Sequence, residues 1–257
     1  MAPVLLTKRI EFSASHRYHN EAWDAARNRA VFGACNNEPG HGHNYLLEVT
    51  VSGEVDRHTG MVVNLFDLKR VLQEVLEEFD HNHLNLDTPY FKDAIPTTEN
   101  IARVLWQKLE TQKDIGRLRA IRLYEDKDLF ADVTASVGLD VASVTRRYQF
   151  TAVYEGDASS GGNWNGHTYD LFVTVHGPID RETGMVTDIV ALDRLVQEKV
   201  IQLFNGQDLR KVLGIQKVTG EQLVRTIWDR LVKSIPNGKL ERVRLVQTRD
   251  LAFEYAG

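Results

Sequence analysis

Cysteine is nearly absent: Cys35 is the single thiol in 257 residues. One thiol excludes an internal disulfide and fits a reducing, cytoplasmic setting. No apolar run approaches the roughly 20 residues that a membrane-spanning helix needs, so no membrane partner is expected. The opening segment "MAPVLLTKRIEF" has no basic region followed by a long apolar stretch, so no signal peptide is expected. Neither sign of charge dominates. Lys and Arg number 31 against 36 Asp and Glu, and the net charge of −5 argues against a general nucleic-acid binder. What remains is an ordinary globular composition, in a chain long enough for two modest domains.

The chain repeats itself. "VSGEVDRHTGMVVNLFDLKRVLQE" (residues 51–74) matches "VHGPIDRETGMVTDIVALDRLVQE" (175–198) at an offset of 124. Upstream, "FSASH" (12–16) aligns with "FTAVY" (150–154). Near the ends, "TTENIARVLWQKL" (97–109) aligns with "TGEQLVRTIWDRL" (219–231), and "RAIRLYEDKDLFA" (119–131) with "ERVRLVQTRDLAF" (241–253). Matched order and spacing over this length mean two copies of one module, 1–138 and 145–257. The join lies near "VGLDVASVT", with no long linker.

Each copy reads the same way. A first strand over 4–15 is followed by "YLLEVTVSGEV", which alternates apolar and polar residues as a half-buried strand does. "DRHTG" is a turn. Leu65, Leu68, Leu72, Val75, Leu76 and Phe79 then follow helical spacing, with Asn64 placed to cap. A second helix begins near Thr98, and strands near 117–125 and 129–136 close the copy. The pattern β-β-α-α-β-β predicts an α+β module: a four-stranded antiparallel sheet with two helices on one face. Its edge strands need covering, which edge-to-edge oligomerisation would do.

Histidines cluster in the first copy. Residues i and i+2 of a strand share a face, so His41 and His43 in "CNNEPGHGHNY" aim at one point. His16, at the end of the first strand, is placed to supply a third nitrogen. Three neutral imidazoles suit Zn²⁺ and leave a position open for water or substrate; surface or hydrogen-bonded histidines are the alternative. Cys35, six residues before His41, is either a small buried apolar residue or a thiol whose pKa a nearby cation lowers. Asp80 beside His81 is either a carboxylate tuning an imidazole for proton transfer or a turn acid next to a helix-terminal histidine. Glu125 ends a strand, where charges are usually solvated. Glu99, after Thr97 and Thr98, fits a first-turn acid favoured by the helix dipole. His58 and His176 read as solvent-exposed.

In this order "FSASHR", "FGACNNEPGHGHNY", "VDRHTGMVVNLFDLK", "LDTPYF" and "PTTEN" resemble the 6-pyruvoyl-tetrahydropterin synthase family. The resemblance covers essentially all of copy one and implies the T-fold, with modules joined sheet to sheet into oligomers. It implies a lyase of tetrahydrobiopterin biosynthesis: 7,8-dihydroneopterin triphosphate loses triphosphate and rearranges to 6-pyruvoyl-tetrahydropterin. His16, His41 and His43 match the family's zinc ligands, and Cys35 its proton-abstracting base. Asp80 and His81 match the relay for the second proton. Glu125 matches the carboxylate that holds the pterin ring, and Thr98 and Glu99 the segment lining its pocket. A homo-oligomer, a trimer of tandem chains, is expected.

Copy two departs from that pattern. Cys35 becomes Ser159, His16 becomes Tyr154 and His41 becomes Asn165, while His43 survives as His167. With one extra residue before it, "FNGQD" puts Asn205 and Gly206 at the positions of Asp80 and His81, and Gln247 stands for Glu125. One imidazole is not a catalytic zinc site, so one Zn²⁺ per chain and a structural second module are expected. Two rival readings are 6-carboxytetrahydropterin synthase of the deazapurine (queuosine) pathway, which uses the same substrate, and a non-catalytic pterin-binding scaffold.

Overall fold

A computed structural model describes residues 3–155 and 164–257, leaving aside the side chains of residues 154, 155, 164 and 165. The chain divides into two compact units. Unit 1 is Met1–Val144 with Gly177–Val186, and unit 2 is Thr145–His176 with Thr187–Gly257.

Unit 1 holds β1 (Val4–His16), α1 (Ala25–Phe32), a 3₁₀ turn (Gly33–Asn36), β2 (His41–Gly53) and α2 (Leu65–Leu76). There follow β3 (Asn82–His83), α3 (Leu84–Asp87), α4 (Thr98–Glu110), β4 (Arg117–Tyr124) and β5 (Leu129–Thr134). The sheet order is β3-β1-β2-β4-β5, antiparallel except for two residues of β3 that run parallel to β1. The four long strands and the two longer helices, α2 and α4, are those the periodicity predicts. The short α1, β3 and α3 are additions. α2 ends at Leu76, and Phe79 beyond it is buried in the core instead of extending the helix.

Alternation fixes which face of the sheet meets the helices. Tyr45, Leu47, Val49 and Val51 of β2 are fully buried, and α4 lays Ile101, Leu105 and Leu109 into the same core. Each such side chain contributes about 1.5–3 kcal/mol on burial. α2 starts at Asn64, whose side chain accepts the Phe66 N–H, and α4 at Thr97, which accepts the Asn100 N–H. The register β1 to β2 runs from Val4 opposite Gly53 to His16 opposite His41, so the two strands bring their histidines together at one end.

Unit 2 is built mainly from β6 (Val141–Glu155), β7 (Trp164–Pro178), α5 (Ile189–Val196), α6 (Gln202–Phe204), α7 (Leu209–Leu213), α8 (Gly220–Leu231), β8 (Lys239–Thr248) and β9 (Leu251–Tyr255). Its strands follow the order β6-β7-β8-β9, and α8 packs on β8 and β9. A π-turn, Gln197–Ile201, joins α5 to α6, with the Gln202 N–H reaching back to the Gln197 carbonyl. That turn absorbs the one extra residue by which this copy outruns the first before "FNGQD". Both units are thus α+β T-folds, in tandem. Among the described residues no helix is long and apolar enough to cross a membrane.

Candidate active site

The histidine end of β1 and β2 is set by backbone constraints. Gly40, just before β2, has φ +118°, and a Cβ there would lie 2.5 Å from the His16 carbonyl oxygen. Only glycine lets the chain enter β2 so close to β1. His16, His41 and His43 then converge, with ring centroids 4.9 Å (16–41), 5.0 Å (16–43) and 4.7 Å (41–43) apart. One nitrogen from each, with a Glu125 carboxylate oxygen, forms a group whose atoms all lie within 4.8 Å of one another.

The tautomer of His16 is set from behind. Its Nδ1 lies 2.9 Å from the Pro96 carbonyl and 3.1 Å from the Tyr45 hydroxyl. The carbonyl accepts only, so Nδ1 carries the proton and Nε2 carries the lone pair. His16 is fully buried, and burial lowers its pKa to about 4. Burial and then His43 lower that of His41. Neutral imidazoles are what metal ligation needs. Nε2 of both His16 and His43 is buried without a hydrogen-bond partner. Two unpartnered ring nitrogens converging on a common point fit a cation.

Glu125 is not the solvated strand-end charge that its position suggests; it is buried. Its Oε2 accepts from the Tyr18 hydroxyl at 2.8 Å and the Thr98 hydroxyl at 2.6 Å. Its Oε1 lies 3.5 Å from His43 Nε2 and 4.0 Å from His16 Nε2. Burial alone would raise its pKa, but His16, His43 and the two hydroxyl donors outweigh it and hold the carboxyl below its ordinary value. Tyr18 was missed by sequence reasoning. It stands two residues beyond His16, past the end of β1, and its ring meets that of His16 with centroids 4.8 Å apart.

Glu99 is buried as well, which a plain first-turn acid would not be. It accepts the Val186 N–H at 3.0 Å, and the Thr97 hydroxyl donates to the Gly184 carbonyl at 2.6 Å. Burial raises the Glu99 pKa to about 7. Cys35 lies in the 3₁₀ turn, half-buried, and its carbonyl accepts the Tyr18 N–H at 2.8 Å. Its thiol is close enough to act electrostatically on Tyr18 and Tyr45.

Asp80 and His81 follow α2 and lie beside β1. Asp80 Oδ1 accepts the Ser13 N–H at 2.7 Å, and Oδ2 lies 3.0 Å from His81 Nδ1. The His81 side chain is 81% exposed, and it borders, with His43, Ser13 and Asn44, a groove of about 350 Å³. The Asp80–His81 pair thus opens to solvent, while His43 belongs to the histidine cluster. A larger cavity of about 570 Å³ carries Arg17, Lys92 and Arg181. Glu21, Glu38, Asp93 and Glu182 line it too, so its charge does not mark it as a polyanion site.

In unit 2 most of the equivalent positions carry other side chains. Ser159 lies outside the described residues, as do the side chains of Tyr154 and Asn165. Asn205 Oδ1 accepts the Thr151 N–H at 2.9 Å, the same contact that Asp80 makes, so that contact belongs to the fold. The Phe253 ring fills the space a side chain at Gly220, the counterpart of Thr98, would need. His58 is exposed as expected, whereas His176 is half-buried.

The geometry defines a T-fold enzyme with a metal-type histidine centre in its first unit. The sequence profile of 6-pyruvoyl tetrahydropterin synthase matches twice, over residues 5–136 and 142–257. The chain is 46% identical over 121 residues to human 6-pyruvoyl tetrahydrobiopterin synthase, covering 47% of this chain and 83% of that protein. It is 38% identical over 109 residues to a putative 6-carboxy-5,6,7,8-tetrahydropterin synthase of Archaeoglobus fulgidus, covering 40% of this chain and 88% of that protein. A solved structure of 6-pyruvoyl tetrahydropterin synthase from Caenorhabditis elegans superposes with TM-score 0.51 at 36% identity, covering 53% of this chain and 98% of that one. The chain belongs to the 6-pyruvoyl tetrahydropterin synthase family, as a tandem duplication, and is a lyase of that kind.

Proposed function

We propose that the first unit is a zinc-dependent synthase converting 7,8-dihydroneopterin triphosphate to 6-pyruvoyl-tetrahydropterin and triphosphate. The observation that carries this is the buried convergence of His16, His41, His43 and Glu125, with two imidazole nitrogens left unpartnered. His16, His41 and His43 hold the cation. When bound, it supplies Lewis-acid polarisation of a substrate side-chain hydroxyl.

Glu125 accepts the two N–H donors of the aminopyrimidinone and fixes the ring. Tyr18 and Thr98 hold its carboxylate in place from behind. Cys35 removes one substrate proton. His81, oriented by Asp80, handles a second proton from the exposed side of the groove. Glu99 and Thr98 line the pterin pocket. The second unit is non-catalytic, and the working assembly is a homo-oligomer of tandem chains.

The stronger identity to the human pyruvoyl enzyme than to the archaeal carboxy enzyme favours the pyruvoyl product. The test is incubation with dihydroneopterin triphosphate and zinc, followed by mass-spectrometric identification of the pterin. The pyruvoyl product supports the proposal, and a carboxy product replaces it with the deazapurine-pathway activity. No turnover, with zinc bound and Cys35→Ala indistinguishable from wild type, contradicts both and leaves a pterin-binding scaffold.

A further inference from the structure

Glu125 stands where a metal ligand would. Its side chain is 4% exposed, and the basic groups that approach it are the imidazoles of His43 and His16. Among the described residues no Lys or Arg forms an ion pair with it. A buried carboxylate is costly unless a cation pairs with it or a metal takes it as a ligand.

Its two oxygens are used differently. Oε2 accepts the hydroxyls of Tyr18 and Thr98. The Tyr18 oxygen itself accepts the Thr98 N–H at 3.3 Å, so its proton is committed to Glu125. Hydrogen bonds of this kind, made to one oxygen only, are how outer partners orient a ligating carboxylate. Oε1 faces the imidazoles, 3.5 Å from His43 Nε2 and 4.0 Å from His16 Nε2.

Neither approach is a hydrogen bond, since both ring nitrogens are without a partner. On His16 that nitrogen carries a lone pair, because the Nδ1 proton goes to the Pro96 carbonyl. Lone pairs of an imidazole and a carboxylate repel each other, and a cation between them turns that repulsion into attraction. The spacing fits as well. Atoms bound to a tetrahedral Zn²⁺ at about 2.0–2.1 Å lie about 3.3 Å from one another. The second copy loses the set together: Tyr154, Asn165 and Gln247 stand for His16, His41 and Glu125.

We propose that Oε1 of Glu125 is the fourth ligand of the cation in the substrate-free enzyme, and that the substrate displaces it. The entering side-chain hydroxyl takes the position as the carboxylate leaves. One oxygen donor replaces another, and no proton or electron is transferred. The released carboxylate then takes the N–H donors of the ring. Until the pterin arrives, the position is closed to water. This inference rests on the reading that His16, His41 and His43 hold a cation, and it adds a ligand to that set.

The test uses the full-length protein without substrate and two readouts that do not depend on turnover. Zinc affinity is measured by competition with a chromophoric chelator. Glu125→Gln, with an unchanged circular dichroism spectrum, is expected to bind zinc at least tenfold more weakly than wild type. The second readout is the visible spectrum of the cobalt-loaded protein during titration with imidazole at about pH 8, where this probe is neutral. Imidazole is expected to bind wild type at least tenfold more weakly than Glu125→Gln, because the carboxylate holds the position it needs. A smaller difference in either readout overturns the proposal while leaving the three-histidine site standing. A wild type that takes up no zinc overturns that site and the proposal together.

Discussion

Oε2 of Glu125 lies 2.6 Å from the hydroxyl of Thr98, the first residue of α4, and 2.8 Å from that of Tyr18. A helix start and a strand end thus hold one carboxylate from two sides, while Oε1 faces the histidines. A carboxylate so fixed loses little entropy when it pairs with a ligand.

Glu125→Gln keeps the shape and one acceptor but removes the charge, as the second copy does with Gln247. A hydrogen bond to a charged group contributes about 1.5–3 kcal/mol. kcat/KM for the pterin substrate is therefore expected to fall by roughly tenfold to a hundredfold. Steady-state kinetics check this, and a change below threefold contradicts a ring-holding role.

His81 stands at φ 59°, a left-handed conformation that side chains other than glycine adopt at a cost. In the second copy the matching residue is Gly206 at φ 72°, and both donate their N–H to the matching strand carbonyl, Ser13 or Thr151. Glycine adopts that conformation without the cost. His81→Gly is expected to stabilise the protein by about 1 kcal/mol in chemical denaturation while turnover falls by about 10²-fold or more. A destabilised variant, or one that retains full activity, contradicts this.

Glu99 makes stability depend on pH. Its carboxyl ionises near 4.5 when unfolded and near 7 when folded, because burial opposes the charge. Between those values the folded state holds the extra proton, so this group's contribution falls as pH rises through the window, by about 3 kcal/mol at most. Glu99→Gln keeps an acceptor for the Val186 N–H and removes the titration. Melting temperatures from pH 5 to pH 7.5 should decline less in the variant than in wild type. Parallel curves would contradict the assignment.

Much of this was legible because it is local or periodic. The strand alternation through Tyr45, Leu47, Val49 and Val51, the cap at Asn64, and the His41–His43 spacing all follow from neighbours in sequence. The burial of Glu125 and Glu99 was not legible. It depends on partners far along the chain, with Tyr18 107 positions from Glu125 and Val186 87 from Glu99. The π-turn was visible only as an extra residue, since spacing counts an insertion without saying how a helix absorbs it.

The histidine centre is the core of the account, and metal content tests it most directly. Purified wild type, loaded with zinc and dialysed, is predicted to hold one zinc per chain by inductively coupled plasma mass spectrometry. His16→Ala and His41→Ala should hold none, with unchanged secondary structure. Two zinc ions per chain, or a full complement retained by either variant, would contradict it.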